Sequence, residues 1–153
     1  MYLALRLLAA GIWLTAAQTV PTAAQDTWLK SFEGAWVVDG AVGDDAEIVL
    51  KIEREETALV LRVVVRDREI VTRYDLAGGD AMNQHLNRKS IFRTRIDGQS
   101  LVTQIWDGDV AVGPPARIET RYLQSSDLMT TELSTTPGGE AFNRTVLRRQ
   151  GSK

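Results

Sequence analysis

Cysteine is absent, which excludes disulfide frameworks, thiolate zinc sites, thiol nucleophiles and a cysteine-borne lipid anchor together. Histidine is nearly absent: His85 stands alone in the polar stretch Asn83-Gln84-His85-Leu86-Asn87. Metal sites of the common kinds need several ligands, so His85 reads as a solvated loop residue, and no metal or cofactor is expected. Charge of one sign is also lacking. The 18 Lys and Arg against 20 Asp and Glu leave −2, which gives no electrostatic case for nucleic acid or an anionic membrane surface. No glycine-rich phosphate loop, nucleophile elbow or zinc-protease pair occurs. Glu55-Glu56 reads as a charged hairpin tip rather than a carboxylate pair. With no catalytic constellation, the reading leans away from an enzyme.

Acidic residues are missing from residues 1–24, where Arg6 is the sole basic one. The uncharged, mostly apolar run Leu7–Ala17 is shorter than the ~20 residues a membrane-spanning helix needs. A basic start, an apolar centre and the small-residue exit Thr22-Ala23-Ala24 make a secretory signal peptide over 1–24, with cleavage before Gln25. The expected location is periplasmic or secreted, with no integral membrane span once the signal is removed. Residues 25–153 then form one domain, a length that a single core serves.

What the mature chain does contain is a period of two. Ile48, Leu50 and Ile52 alternate with charged or exposed positions, as do Leu59, Leu61, Val63 and Val65. Ile70, Thr72, Tyr74 and Leu76 repeat the pattern, and so do Phe92, Thr94 and Ile96. These are half-buried strands. Further strands are expected at 33–39, 100–107, 116–123, 128–135 and 142–149. Turn signals at Asp39-Gly40, Gly78-Gly79-Asp80, Asp97-Gly98 and Pro137-Gly138-Gly139 separate them. Before the first strand, Asp26 or Thr27 can cap a short helical turn carrying Trp28 and Phe32 on one face. No segment is long enough for a crossover helix, so the strands pair antiparallel and form a sandwich or a barrel.

Phe32-Glu33-Gly34-Ala35-Trp36 resembles the aromatic-x-Gly-x-Trp opening of lipocalins. Tyr74–Asp80, Ile96–Val102, Glu119–Thr130 and Val146–Arg149 resemble, in order, hairpins and the closing strand of bacterial exported lipocalin-like domain proteins. Ile96 stands where that group has Trp, and residues 82–89 match nothing in it. The resemblance implies an all-β fold: a single antiparallel up-and-down barrel of eight to ten strands, lipocalin-like, preceded by a short helical turn. It also implies structural roles for Phe32, Gly34 and Trp36 at the barrel floor, with Arg148 or Arg149 stacked across the Trp36 ring.

A small barrel is either filled by side chains or holds one small ligand. Taking the apolar set of each strand as inward, the lining is Leu61, Val63, Tyr74, Phe92, Ile105 and Tyr122, with Thr72, Thr94, Thr103 and Thr120 among them. Arg93 and Arg95, in the densest basic stretch, are candidates for a charged mouth that receives a carboxylate. Two functions follow: a carrier of a small apolar or amphipathic molecule, or a protein-binding module. The second is exemplified by an inhibitor of an exported protease acting through Gln25–Ser31.

Overall fold

The computed structural model describes residues 22–43, 48–65 and 67–151. The signal-peptide expectation therefore falls, up to residue 21, outside the described residues. Helix α1 (Ala23–Lys30) leads into ten strands: β1 (Gly34–Val38), β2 (Val49–Glu55), β3 (Ala58–Val65), β4 (Arg68–Asp75), β5 (Asp80–His85), β6 (Arg88–Asp97), β7 (Ser100–Asp107), β8 (Arg117–Leu123), β9 (Leu128–Ser134) and β10 (Asn143–Arg149). Each strand pairs antiparallel with its chain neighbour, except that β4 and β5 share no ladder, and β10 returns to pair with β1. Among the described residues the result is a single, nearly closed up-and-down barrel of ten strands with one short helix before the first.

The helix is longer than one turn and begins earlier than the Asp26 or Thr27 cap expected from sequence. Thr22 accepts from the Gln25 amide while the Gln25 side chain accepts from the Thr22 amide, a reciprocal pair that satisfies two otherwise free donors. The helix packs under the barrel. Leu29 and Phe32 are fully buried, Trp28 meets Phe32 edge-on at 4.9 Å, and Asp26 holds Arg54 at 2.6 Å.

Trp36 fills the floor. It is fully buried, its Nε1–H donates to the Phe32 carbonyl at 2.9 Å, and the Arg149 guanidinium lies 4.3 Å from its ring centre. Arg149 also donates to the carbonyls of Ser31 and Glu33, both at 2.8 Å, so one side chain ties the last strand to the segment between helix and first strand. Arg148 faces the other way, toward Asp39. Gly34 has φ +126°, and a Cβ there would lie 2.6 Å from Arg149 Nη1, so both backbone and space demand glycine.

The seam between β4 and β5 is closed by side chains. Asn83 Oδ1 accepts from the Arg73 amide at 2.7 Å and its Nδ2 donates to the Arg73 carbonyl at 3.0 Å, replacing a strand partner at that step. One residue pair on, Thr72 and His85 Nε2 share a hydrogen bond of 2.9 Å. His85 is thus the half-buried last residue of a strand and not the solvated loop residue expected from its polar neighbours. The span 82–89 forms the turn and the adjoining strand ends of the β5–β6 hairpin that carries this seam. Asn83→Ala should cost ~1–3 kcal/mol, because it leaves two backbone groups without partners. Hydrogen exchange at the Arg73 amide checks this, with faster exchange expected there than in the β2–β3 ladder.

Candidate functional site

Strand β8 reads Arg-Ile-Glu-Thr-Arg-Tyr-Leu, and its register decides what enters the barrel. Leu101 pairs with Arg121 and Thr103 with Glu119 on one side; Thr131 pairs with Arg121 and Leu133 with Glu119 on the other. Since Leu101, Thr103 and Met129 are core residues, the odd-numbered set of β8 faces inward. Arg121 and Glu119 therefore meet inside the barrel, their side chains only 8% and 13% exposed.

Arg121 Nη2 donates to Glu119 Oε1 at 3.0 Å and to the Tyr74 hydroxyl at 3.2 Å, and the guanidinium lies 5.1 Å from the Tyr74 ring centre. These three residues, with Phe32, Ile52, Leu59, Leu61 and Leu101 as apolar walls, line a void with room for about one water molecule. Among the described residues, Arg121 Nε is buried without a protein partner, as is Oγ1 of its cross-strand neighbour Thr131. Buried polar groups are almost always bonded, so the unmet Nε–H is an available hydrogen-bond donor inside the barrel. Thr130 Oγ1 is unpartnered too, but it belongs to the opposite face of β9. Toward the end of the barrel away from α1 the filling loosens. Val38, Leu50, Val63, Ile70 and Leu133 face inward yet are only half-buried.

Burial pushes the Tyr74 hydroxyl well above its ordinary range, and adjacent Glu119 adds to this, while Arg121 opposes it. Burial alone would lower the Arg121 pKa, but the charge of Glu119 and the Tyr74 hydroxyl more than offset it, leaving the guanidinium firmly protonated. Tyr74 should therefore stay un-ionised in the folded protein at pH values where a free tyrosine titrates. Its contribution to stability is present below the unfolded value of about 10 and is lost as pH rises from there through the raised folded value. An ultraviolet titration, with Tyr74→Phe as reference, should show one tyrosine ionising only as the protein unfolds.

Leu61, Tyr74, Phe92 and Ile105 lie buried on the inner face, and Tyr74 and Phe92 pack edge-on at 5.6 Å. Val63 faces inward nearer the looser end. Tyr122 does not join them. With Arg121 inside, Tyr122 is outside, donating to Glu132 and accepting from Arg144, and Thr120 and Ile118 share its face. Arg93 and Arg95 are also outward. Arg93 pairs with Asp80 at 2.8 Å and lies 5.2 Å from the Trp106 ring centre, while exposed Arg95 reaches Asp97 beside the turn at the helix end. A charged mouth built from them is thus ruled out by strand parity. The segment Gln25–Ser31 is helix docked on the floor rather than a projecting arm. Among the described residues, no three His, Asp or Glu side chains gather as a metal site would require.

Sequence reasoning missed Arg121 and Glu119 because it took the apolar set of β8 as inward, and with them Thr131, which pairs with Arg121 from β9. Pairing Leu123 with Met129 across the following hairpin, and carrying that parity back, would have placed them inside.

No protein-family model matches the sequence, and no curated protein matches it. Solved structures do. A fatty acid transporter, REP1-NXSQ, superposes with a TM-score of 0.58 at 12% identity, over 81% of this chain and 99% of that one. Lipid binding protein 8 of Caenorhabditis elegans in its apo form gives 0.59 at 9% identity, over 80% and 97%. An abundant heat soluble (SAHS) protein from Ramazzottius varieornatus gives 0.55 at 12%, over 78% and 96%. At these identities the likeness is one of fold: this chain folds as a lipocalin-like barrel of the kind those proteins share.

Proposed function

We propose that the barrel binds a small apolar or amphipathic molecule, with its polar end at Arg121 and its apolar part among Leu50, Leu61, Val63, Phe92 and Ile105. The carrying observation is the buried guanidinium whose Nε lacks a partner beside an apolar-walled void. The fatty acid transporter and lipid-binding protein that share the fold support the same reading. The void itself holds about a water, so a ligand enters by moving side chains at the looser end rather than by filling a ready-made chamber. The polar end goes in first, because the inward cation lies deep and the candidate mouth arginines face solvent.

The test is calorimetric titration with a panel of medium-chain ketones, alcohols, fatty acids and isoprenoids. Binding should show a negative heat-capacity change, the mark of apolar burial. Leu61→Trp, which fills the void, should abolish it. Absence of binding by every class would overturn the proposal and put a protein partner ahead.

The acid-free amino end supports export to a periplasm or medium. Sequencing exported protein should find a first residue at or near Gln25; a start at Met1 would refute export with cleavage. Cleavage after Ala24 also removes the Thr22 cap, so the mature helix would fray at its first turn.

A further inference from the structure

Resting on that proposed function, we infer that the site selects a neutral hydrogen-bond acceptor on an apolar chain, such as a ketone, ester or alcohol oxygen, over a carboxylate. The reason is the state of Arg121 before any ligand arrives. Glu119 Oε1 lies 3.0 Å from Nη2, so the buried pair already sums to zero charge. Farther along β8, the exposed pair Arg117 with Asp107 at 2.9 Å likewise offers no surplus positive charge. A ligand carboxylate would bring a second negative charge to one guanidinium, beside Glu119, where like charges disfavour each other's ionised forms. Burying that surplus charge costs far more than burying a carbonyl that accepts a hydrogen bond.

Geometry points the same way. A carboxylate is held best by two parallel N–H donors, and either fork of a guanidinium uses Nη2. Here Nη2 is taken by both Glu119 and Tyr74. With Nη2 occupied neither fork is free, and the fully buried polar atoms left without a partner there are Arg121 Nε and, on the neighbouring strand, the Thr131 hydroxyl. A lone Nε–H makes one hydrogen bond to one oxygen rather than the paired bonds a carboxylate prefers. The apolar walls from Phe32, Ile52, Leu59 and Leu101 then cover the carbons next to it.

The experiment compares 2-octanone, 1-octanol, octane and octanoate at pH 7.5 by calorimetry on the full-length mature protein. The ketone and alcohol should bind at least about tenfold more tightly than octanoate, and more tightly than octane. Octanoate equal to or tighter than the ketone would overturn the selectivity while leaving barrel binding intact. A ketone no better than octane would overturn the role of the Nε–H. Binding by none of the four would overturn the binding function itself. Glu119→Gln supplies a second arm: removing the resident charge should narrow or reverse the ratio in favour of octanoate. Octanoate should also raise the melting temperature of that variant more than it raises the parent's. A ratio unchanged in a folded Glu119→Gln protein would refute the charge argument.

Discussion

Trp36→Ala is expected to destabilise the barrel by ~3–5 kcal/mol, the usual cost of emptying a large aromatic site in a core. Three contributions are lost together. The ring is fully buried against Leu29, Phe32 and the barrel floor, so a cavity replaces its contacts. Its indole N–H bond to the Phe32 carbonyl goes, leaving that acceptor without its side-chain partner. The guanidinium of Arg149 loses the face it stacks on, although its bonds to Ser31 and Glu33 remain. Urea unfolding should show the midpoint falling at an unchanged slope. A loss below ~1 kcal/mol would mean the floor closes without the ring. Arg149→Lys separates the terms: the charge stays, but the planar guanidinium that reaches the carbonyls of Ser31, Glu33 and Ser126 does not, and a loss of ~1–2 kcal/mol is expected.

The floor was legible in the sequence because its signals are local. Phe32, Gly34 and Trp36 sit within five residues, and a glycine two before a tryptophan states both the bend and the plug. Strand alternation was equally legible where one face is apolar and the other charged, as in β3, β4 and β6. Strand β8 defeated that logic. Its even set, Ile118, Thr120 and Tyr122, looks like the inner face, and Ile118 is indeed buried, but on the outside. The odd set carries Arg121 and Glu119 inward, where Tyr74, from a strand 47 residues earlier, accepts a hydrogen bond from Arg121. No local pattern contains that partner. The seam was hidden for a similar reason: Asn83 acts as a strand partner through its side chain, so residues 82–89 read as loop when only neighbours are considered.

Glu119→Ala is expected to cost ~3–5 kcal/mol, because it strands the Arg121 charge inside the barrel. Tyr74 cannot compensate, since its hydroxyl is held neutral by burial. The paired replacement Glu119→Leu with Arg121→Met should behave differently. It removes both charges and leaves apolar groups of similar reach, so its stability should lie within ~1–3 kcal/mol of the parent, the Tyr74 hydroxyl alone losing its partner. Chemical denaturation of the two singles and the double closes the cycle, and a double variant as unstable as Glu119→Ala would mean the trio is needed to hold the strands. If the double is as stable as expected, the charged pair is not there for the fold's sake. The proposed binding then gives the pair its use, which is to present the unpartnered Nε–H of Arg121 to the interior. The stable double variant should then bind 2-octanone no more tightly than octane, whereas the parent separates them. Retained discrimination in the double would place the polar contact elsewhere in the barrel.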